Sequence, residues 1–380
     1  MQIFSSKLPQ VGTSIFSVMS GLAKEHNAIN LSQGFPDFEC HPKLLDLVHQ
    51  YSKGYNQYAP MPGIQPLREQ ISILLQNCYG ASYHPETEIT VTAGATQGIY
   101  TSLEAFINPG DEVIIFEPAY DSYIPAIQAN GGIPVPITLQ QPNFTINWDT
   151  VKQKVGAKTR AIIINTPHNP SGTTLSHHDL LELEKLVARK NILVISDEVY
   201  EHMAFDGKPH QSVARFKSLA SQSIIVSSFG KTIHATGWKI GYVAAPKEIM
   251  AEFRKLHQFL VFCVNHPLQM ALSEYLKDAT VYQDLAQFYQ TKRDYFRKLI
   301  AASRFSLEPC TGTYFQLVNY KNISDEMDTD FAIRLTKEKG LATIPLSVFY
   351  TDKLQQQFLR FCFAKKEETL EKAAEIICKL

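Results

Sequence analysis

The sequence predicts an α/β protein: a mostly parallel sheet packed between helices, followed by a smaller α+β unit. Three observations carry that reading. Short β-rich runs alternate with helix-like stretches through the middle of the chain, several of these runs are nearly continuous Val and Ile, and the pattern changes after Pro267. A strand covered by helices on both faces needs apolar residues at successive positions, so unbroken Val/Ile runs point to a buried, parallel arrangement.

The strands expected, in order, are 88–92, 112–116, 133–137, 160–165, 192–196, 224–228 and 239–244. Between them lie amphipathic stretches such as 176–189, with Leu180, Leu183 and Leu186 at helical spacing and Ser176 placed to cap the first turn. Beyond Pro267, helices are expected at 281–302 and 367–380, with strands at 312–318 and 357–363 between them. No low-complexity linker and no 20–50-residue repeat intervenes, so the two units are expected to pack closely.

Composition limits the function. A chain of 380 residues suits about two domains on a ~150-residue prior, and 44% hydrophobic with 19% charged residues is ordinary globular composition. Thirty-six Lys and Arg against 37 Asp and Glu leave a net charge of −1, which offers no nucleic-acid or acidic-membrane surface. The six cysteines are scattered without a CxxC pair and read as thiols in a reducing compartment. Residues 1–7 lack a basic stretch with an apolar core behind it, and apolar runs such as 113–116 and 161–164 fall far below the ~18 residues a membrane span requires. The expectation is a soluble, cytoplasmic protein with no nucleic-acid or membrane partner.

Several common chemistries lose their motif. Gly230-Lys231-Thr232 looks like the end of a phosphate-binding loop, but Ile225 stands where that loop needs a glycine. No GxGxxG opens a helix, and neither GxSxG nor HExxH occurs. His177-His178, at a helix start, reads as solvated, so no metal site is expected.

What remains is a set of polar segments at the carboxyl ends of three expected strands, where open α/β sheets place their ligands. They are Asn165-Thr166-Pro167-His168-Asn169-Pro170-Ser171-Gly172, Ser196-Asp197-Glu198-Val199-Tyr200 and Ser227-Ser228-Phe229-Gly230-Lys231. Singly, each reads as a turn, a helix cap or a solvated lysine. Together they form the kind of polar cluster that builds a cofactor site.

These segments, with Gly237-Trp238-Lys239-Ile240-Gly241, resemble the signature of the class I pyridoxal-phosphate (PLP) aminotransferases of the aspartate-aminotransferase fold type. The resemblance runs from Asn30-Leu31-Ser32-Gln33-Gly34-Phe35-Pro36-Asp37-Phe38 to Arg360-Phe361-Cys362-Phe363-Ala364-Lys365. Gly34-Phe35-Pro36-Asp37-Phe38 and Asn56-Gln57-Tyr58 are similar to the kynurenine aminotransferase/glutamine transaminase K branch. Within it, Ser6-Lys7-Leu8-Pro9-Gln10 most resembles the bacterial methionine aminotransferases. The resemblance implies a large PLP-binding domain over 40–275 with a mostly parallel seven-stranded sheet. It also implies a small domain built from 1–39 and 276–380.

It further implies roles residue by residue. Lys231 matches the lysine that bonds PLP and then serves as general base, Asp197 the carboxylate that keeps the pyridine nitrogen protonated, and Tyr200 and Asn169 the donors to the phenolic oxygen. Glu198, next to Asp197, would point elsewhere and receives no role. Gly94-Ala95-Thr96, at a helix start, together with Ser228 and Lys239, match the phosphate site. Tyr120 matches the ring that stacks on the pyridine, and Tyr58 a residue that reaches the phosphate of a neighbouring subunit, so a homodimer is implied. Arg360 matches the clamp on the substrate's α-carboxylate, assisted by Asn169 and the Gly34 backbone. Phe16 matches an aromatic pocket position, and Asn265 a position beside the substrate.

The implied activity is a ping-pong transfer of the amino group from a large neutral L-amino acid to a 2-oxo acid. Methionine is the first donor expected, then glutamine, aromatic amino acids or kynurenine. A carbon–sulfur β-lyase using Lys231, Asp197 and Arg360 is the alternative enzyme. A DNA-binding regulator built on the same fold is disfavoured by the near-zero charge and the ~30 residues before the Gly34 block.

Overall fold

The computed structural model describes residues 4–380; the first three residues of the expected 1–39 segment lie outside the described residues. Each of the seven expected strands forms, within two residues of the expected ends: β1 (Ile89–Thr92), β2 (Glu112–Glu117), β3 (Ile133–Thr138), β4 (Thr159–Asn165), β5 (Leu193–Asp197), β6 (Ser223–Ser228) and β7 (Gly241–Ala244). They join one sheet in the order β1-β7-β6-β5-β4-β2-β3. All strands run parallel except β7, which pairs antiparallel with both β1 and β6.

Alternate residues of the central strands feed two separate cores. Val113, Ile115, Ile163, Ile195, Ile224 and Val226 pack toward helices Ala95–Phe106, Tyr123–Ala129 and Lys247–Leu260. Ile114, Ile162, Ile164, Val194 and Ile225 join the larger core on the other face. With both faces covered, apolar residues recur at every position, which accounts for the Val/Ile runs. The edge strand β3 is less buried and carries Pro134 and Pro136, residues a central strand would not tolerate. The antiparallel β7 follows β6 after a connection holding only the one-turn helix Phe229–Thr232 and the short turn Thr236–Trp238. A parallel return usually needs a crossover that carries a full helix, and this connection holds none.

Helix His177–Val187 begins as expected: Ser176 accepts from the Asp179 N–H, and Asp179 returns the bond to the Ser176 N–H. The expected helix 281–302 is instead two, Thr280–Gln283 and Leu285–Leu299, which meet at Asp284. The apolar spacing continues across that break, so periodicity alone does not reveal it.

Beyond the large sheet, Phe315–Asn319 and Phe358–Cys362 pair antiparallel at the centre of a four-stranded sheet edged by Ile344–Pro345 and Ser306–Leu307. Strand Ile29–Asn30 pairs with Leu341–Ala342, so the segment before the large sheet packs on the region that follows it. Helices Pro42–Tyr51 and Gln65–Tyr79 pack instead against His266–Tyr275. Among the described residues no helix is long and apolar enough to cross a membrane.

Candidate active site

The last residues of β4, β5 and β6, namely Asn165, Asp197 and Ser228, line a cavity of about 300 Å³, to which Phe16 and Gly34 from before the large sheet and Phe315 and Arg360 from after it also contribute. Phe16, Gly34, Gly94, Ala95, Thr96, Tyr120, Asn169, Asp197, Tyr200, Ser228, Lys231, Lys239 and Arg360 all line it. Tyr58 does not. It is 82% exposed, its ring edge-on to Phe262 at 5.3 Å. Asn265 also stands outside the lining, where its side chain caps helix His266–Tyr275 by accepting from the Leu268 N–H at 3.0 Å.

Strand β5 delivers Asp197 to the cavity floor. Its carboxylate accepts from the Tyr123 hydroxyl at 2.5 Å and from the Val199 N–H at 3.3 Å, while no basic side chain among the described residues comes within ion-pair distance of it. Burial raises its pKa to about 6, against the lowering effect of the Tyr123 bond. Glu198, the next residue, points away as expected. It accepts from Ser196, His210 and the Val213 N–H.

Lys231 sits in the single helical turn after β6, with Nζ donating to the Tyr314 hydroxyl at 2.8 Å and to the Gly34 carbonyl at 3.2 Å. Desolvation lowers its pKa to about 8, and the positive charges of Arg360 and Lys239 add to that effect. An amine of this kind is partly unprotonated near neutral pH, which nucleophilic and basic chemistry both require.

Arg360 occupies the centre of the small sheet and is almost fully buried. One Nη donates to Asn169 Oδ1 at 2.7 Å, the other to the Ser32 carbonyl at 3.0 Å, and Nε has no partner. The guanidinium lies 3.9 Å from the Phe315 ring centre and 5.3 Å from that of Phe16. Guanidinium groups have no acceptor, so the Asn169 oxygen must face Arg360 and its amide NH₂ faces away from it. No carboxylate among the described residues comes within ion-pair distance of this buried cation. Such a group is strongly favourable toward an incoming anion.

A second anion cradle forms where helix Ala95–Phe106 begins. Its N-cap, Gly94, has φ +77° and no side-chain cap, leaving the first-turn N–H groups available. Lys239 approaches closely: a Cβ on Gly94 would lie 3.4 Å from Lys239 Nζ. Tyr120 follows β2, lines the cavity beside Thr96 and stands edge-on to Tyr123 at 5.7 Å.

Several contributors were not singled out from the sequence. Gln33, Thr236 and Phe315 line the cavity, Tyr123 holds Asp197, and Tyr314 meets Lys231. Tyr123 lies three residues after Tyr120 and could have been sought there. The others bear no local signal, since Tyr314 reaches Gly34 from 280 residues away.

Comparison with known proteins follows the same lines. The model of the family described as aminotransferase class I and II matches residues 26–377. The chain is 48% identical over 378 residues to methionine aminotransferase of Escherichia coli, covering 99% of this chain and 98% of that one. The crystal structure of a methionine aminotransferase from that organism superposes with a TM-score of 0.97 over 100% of both chains. Kynurenine–oxoglutarate transaminase of Dictyostelium discoideum is 34% identical over 99% of this chain and 96% of its own. N-succinyldiaminopimelate aminotransferase of Mycobacterium tuberculosis is 35% identical at a TM-score of 0.95, over 99% of each chain.

Proposed function

The chain belongs to the class I and II aminotransferases, is a PLP-dependent enzyme, and from that premise we propose that it takes the amino group of a large neutral L-amino acid, methionine first, and passes it to a 2-oxo acid. The observation that carries the substrate class is the cavity lining. Its charged residues are Asp197, Lys231, Lys239 and Arg360, and the remaining wall includes Phe16, Ile99, Tyr120, Val199 and Phe315. Each cation has a use below, and none is left for an acidic side chain. The apolar wall suits a large neutral one. Discrimination of about 1–3 kcal/mol per methylene in such a pocket allows glutamine, aromatic amino acids and kynurenine as further donors.

The donor set suits PLP. The uncapped helix start at Gly94, with Ser228 and Lys239, would hold a phosphate. Asp197, buried without a cation, would hold a proton on the pyridine nitrogen, and Tyr120 would stack on the ring. The Asn169 NH₂ and the Tyr200 hydroxyl would donate to the phenolic oxygen. Bound there, PLP supplies an electron sink that acidifies the substrate's Cα–H. Lys231 would take that proton and return it at the neighbouring carbon, its lowered pKa suiting both transfers. Arg360, already oriented by Asn169 and Ser32, would clamp the α-carboxylate and fix Cα against Lys231.

We assign 40–275 to the large domain and 1–39 with 276–380 to the small one, in a homodimer. The exposed aromatics Tyr58, Phe259 and Phe262 support that assembly, in which Tyr58 would reach the partner's phosphate site. A cytoplasmic location is in keeping with six free, scattered cysteines. The test is a panel of amino acids scored by conversion of the PLP absorbance to that of its amine form, with the released oxo acid identified. L-Methionine should convert it. The reading falls if methionine, glutamine and aromatic amino acids all leave the spectrum unchanged, and the β-lyase takes its place if cystathionine is then split to pyruvate and ammonia.

A further inference from the structure

Tyr314 has no part in the chemistry above, yet it touches the reacting amine. We propose that Tyr314 is a positioning residue: its phenol and the Gly34 carbonyl together dock the Lys231 amine whenever that amine is not bonded to the cofactor. The proposal rests on the reading of Lys231 as the reacting amine.

Three polar groups close a triangle. Lys231 Nζ lies 2.8 Å from the Tyr314 oxygen and 3.2 Å from the Gly34 oxygen, and the Tyr314 hydroxyl is 2.5 Å from that same carbonyl. An ammonium has only donors, so Tyr314 must accept from Lys231 and spend its own proton on Gly34. A phenol can do both at once; a carboxamide or hydroxyl on a shorter stem could not reach both partners from this position, just before strand Phe315–Asn319. Burial holds the Tyr314 phenol well above its ordinary pKa, so it stays neutral in both roles.

The triangle is rigid on two corners. Tyr314 is fully buried, with ring contacts to Tyr200 at 5.2 Å, Phe315 at 4.9 Å and Tyr289 at 5.6 Å. Gly34 approaches so closely that a Cβ there would lie 2.8 Å from the Phe315 ring. Only the lysine stem is free to move, and two fixed acceptors select one placement from its many rotamers. Gly34 comes from the segment before the large sheet and Tyr314 from the unit after it. The dock therefore exists only while these two segments are packed together.

Accepting hydrogen bonds favour the ammonium over the amine, so the dock also counters the desolvation that pushes Lys231 down. The other charged or titratable groups facing Lys231 are Asp197 from β5, Tyr200 just beyond it with its ring centre 5.5 Å from Nζ, Arg360 and the Cys362 thiol from strand Phe358–Cys362, and Lys239 from the β6–β7 connection. Tyr314→Phe leaves the identity of each of these groups unchanged.

Tyr314→Phe makes that deletion and keeps the ring packing. The holoenzyme is loaded with pyridoxamine phosphate, which leaves Lys231 unbonded. Acetylation of Lys231 by acetic anhydride is then followed across pH by peptide mass spectrometry. The midpoint of Tyr314→Phe should lie below that of wild type by about half a unit or more. In turnover, kcat should fall about tenfold while the donor KM stays within about twofold, the split expected when the base is misplaced but binding is intact. An unchanged midpoint with unchanged kcat overturns the proposal. So does lowered thermal stability with a normal midpoint and kcat, which would assign Tyr314 to packing alone. The midpoint needs no turnover, so it judges Tyr314 even if wild-type enzyme converts no donor, a result that would strike the reading of the site instead.

Discussion

Two polar clusters leave the end of β5 in opposite directions, equally buried and differently satisfied. Asp197 and Tyr200 face the cavity, while Glu198 and Glu201 face the core, with exposures of 3% for Asp197, 0% for Glu198 and 4% for Glu201. Glu201 accepts from the hydroxyls of Tyr79, Ser227 and Tyr242, and Glu198 accepts from Ser196, His210 and Val213. Every carboxylate oxygen of that inner pair is engaged from within the fold. In the cavity both Asp197 oxygens are engaged too, by Tyr123 and Val199, but Arg360 keeps an unpartnered Nε and Lys231 is held by neutral acceptors only. The same burial with closed valences makes a structural network; with open ones it makes a binding site.

The contrast can be broken from either side. Lys231→Ala has the largest expected effect: loss of the visible absorbance of the lysine–cofactor imine and at least ~10³-fold lower turnover, since nucleophile and base vanish together. Retained transamination would remove Lys231 from the reaction.

Next comes a gain of stability from an inactivating change. In the cofactor-free protein Asp197 has a pKa of about 6, above its unfolded value, so the folded state binds the proton more tightly. Its anion therefore destabilises the fold fully above pH ~6 and not at all below pH ~4. Asp197→Asn should raise the denaturation free energy of the cofactor-free protein by about 1–3 kcal/mol at pH 7.5, vanishing toward pH 4. Urea melts at the two pH values check this, and an equal or lower stability at pH 7.5 contradicts it.

Removing the clamp should cost somewhat less. Arg360→Ala should lower kcat/KM about 10²-fold, chiefly through KM, the loss expected for a buried charge-assisted pair. Unchanged kinetics would mean another residue holds the α-carboxylate. The inner cluster should behave in the opposite way: Glu201→Gln loses acceptors for buried hydroxyls and should cost about 2 kcal/mol of stability, with kcat within about threefold of wild type. A large fall in kcat without loss of stability would erase the distinction between the two clusters.

The sequence made the large sheet legible because burial on both faces writes itself as Val/Ile runs, and the strand ends then pointed to Asn165, Asp197 and Ser228. It did not reveal the reversed direction of β7, which depends on how little helix the 229–240 connection forms. Nor did it reveal the break at Asp284, since the flanking turns keep one apolar spacing. Tyr314, and the contact of the Gly34 carbonyl with it, acquire meaning only through their closure on Lys231, and nothing adjacent to either residue announces the other.

The same distances govern the order in which the molecule can assemble. Arg360 reaches its partners Asn169 and Ser32 across 191 and 328 residues, whereas the adjacent strands β2 and β3, β4 and β5, β5 and β6, and β6 and β7 are joined by far shorter connections. Non-local closures come late because chain entropy must be surrendered before their contacts repay it. A folding chain therefore acquires its scaffold before its clamp. A ligand that needs both can recognise only the nearly finished protein: it secures the native state once reached and does not template the route to it.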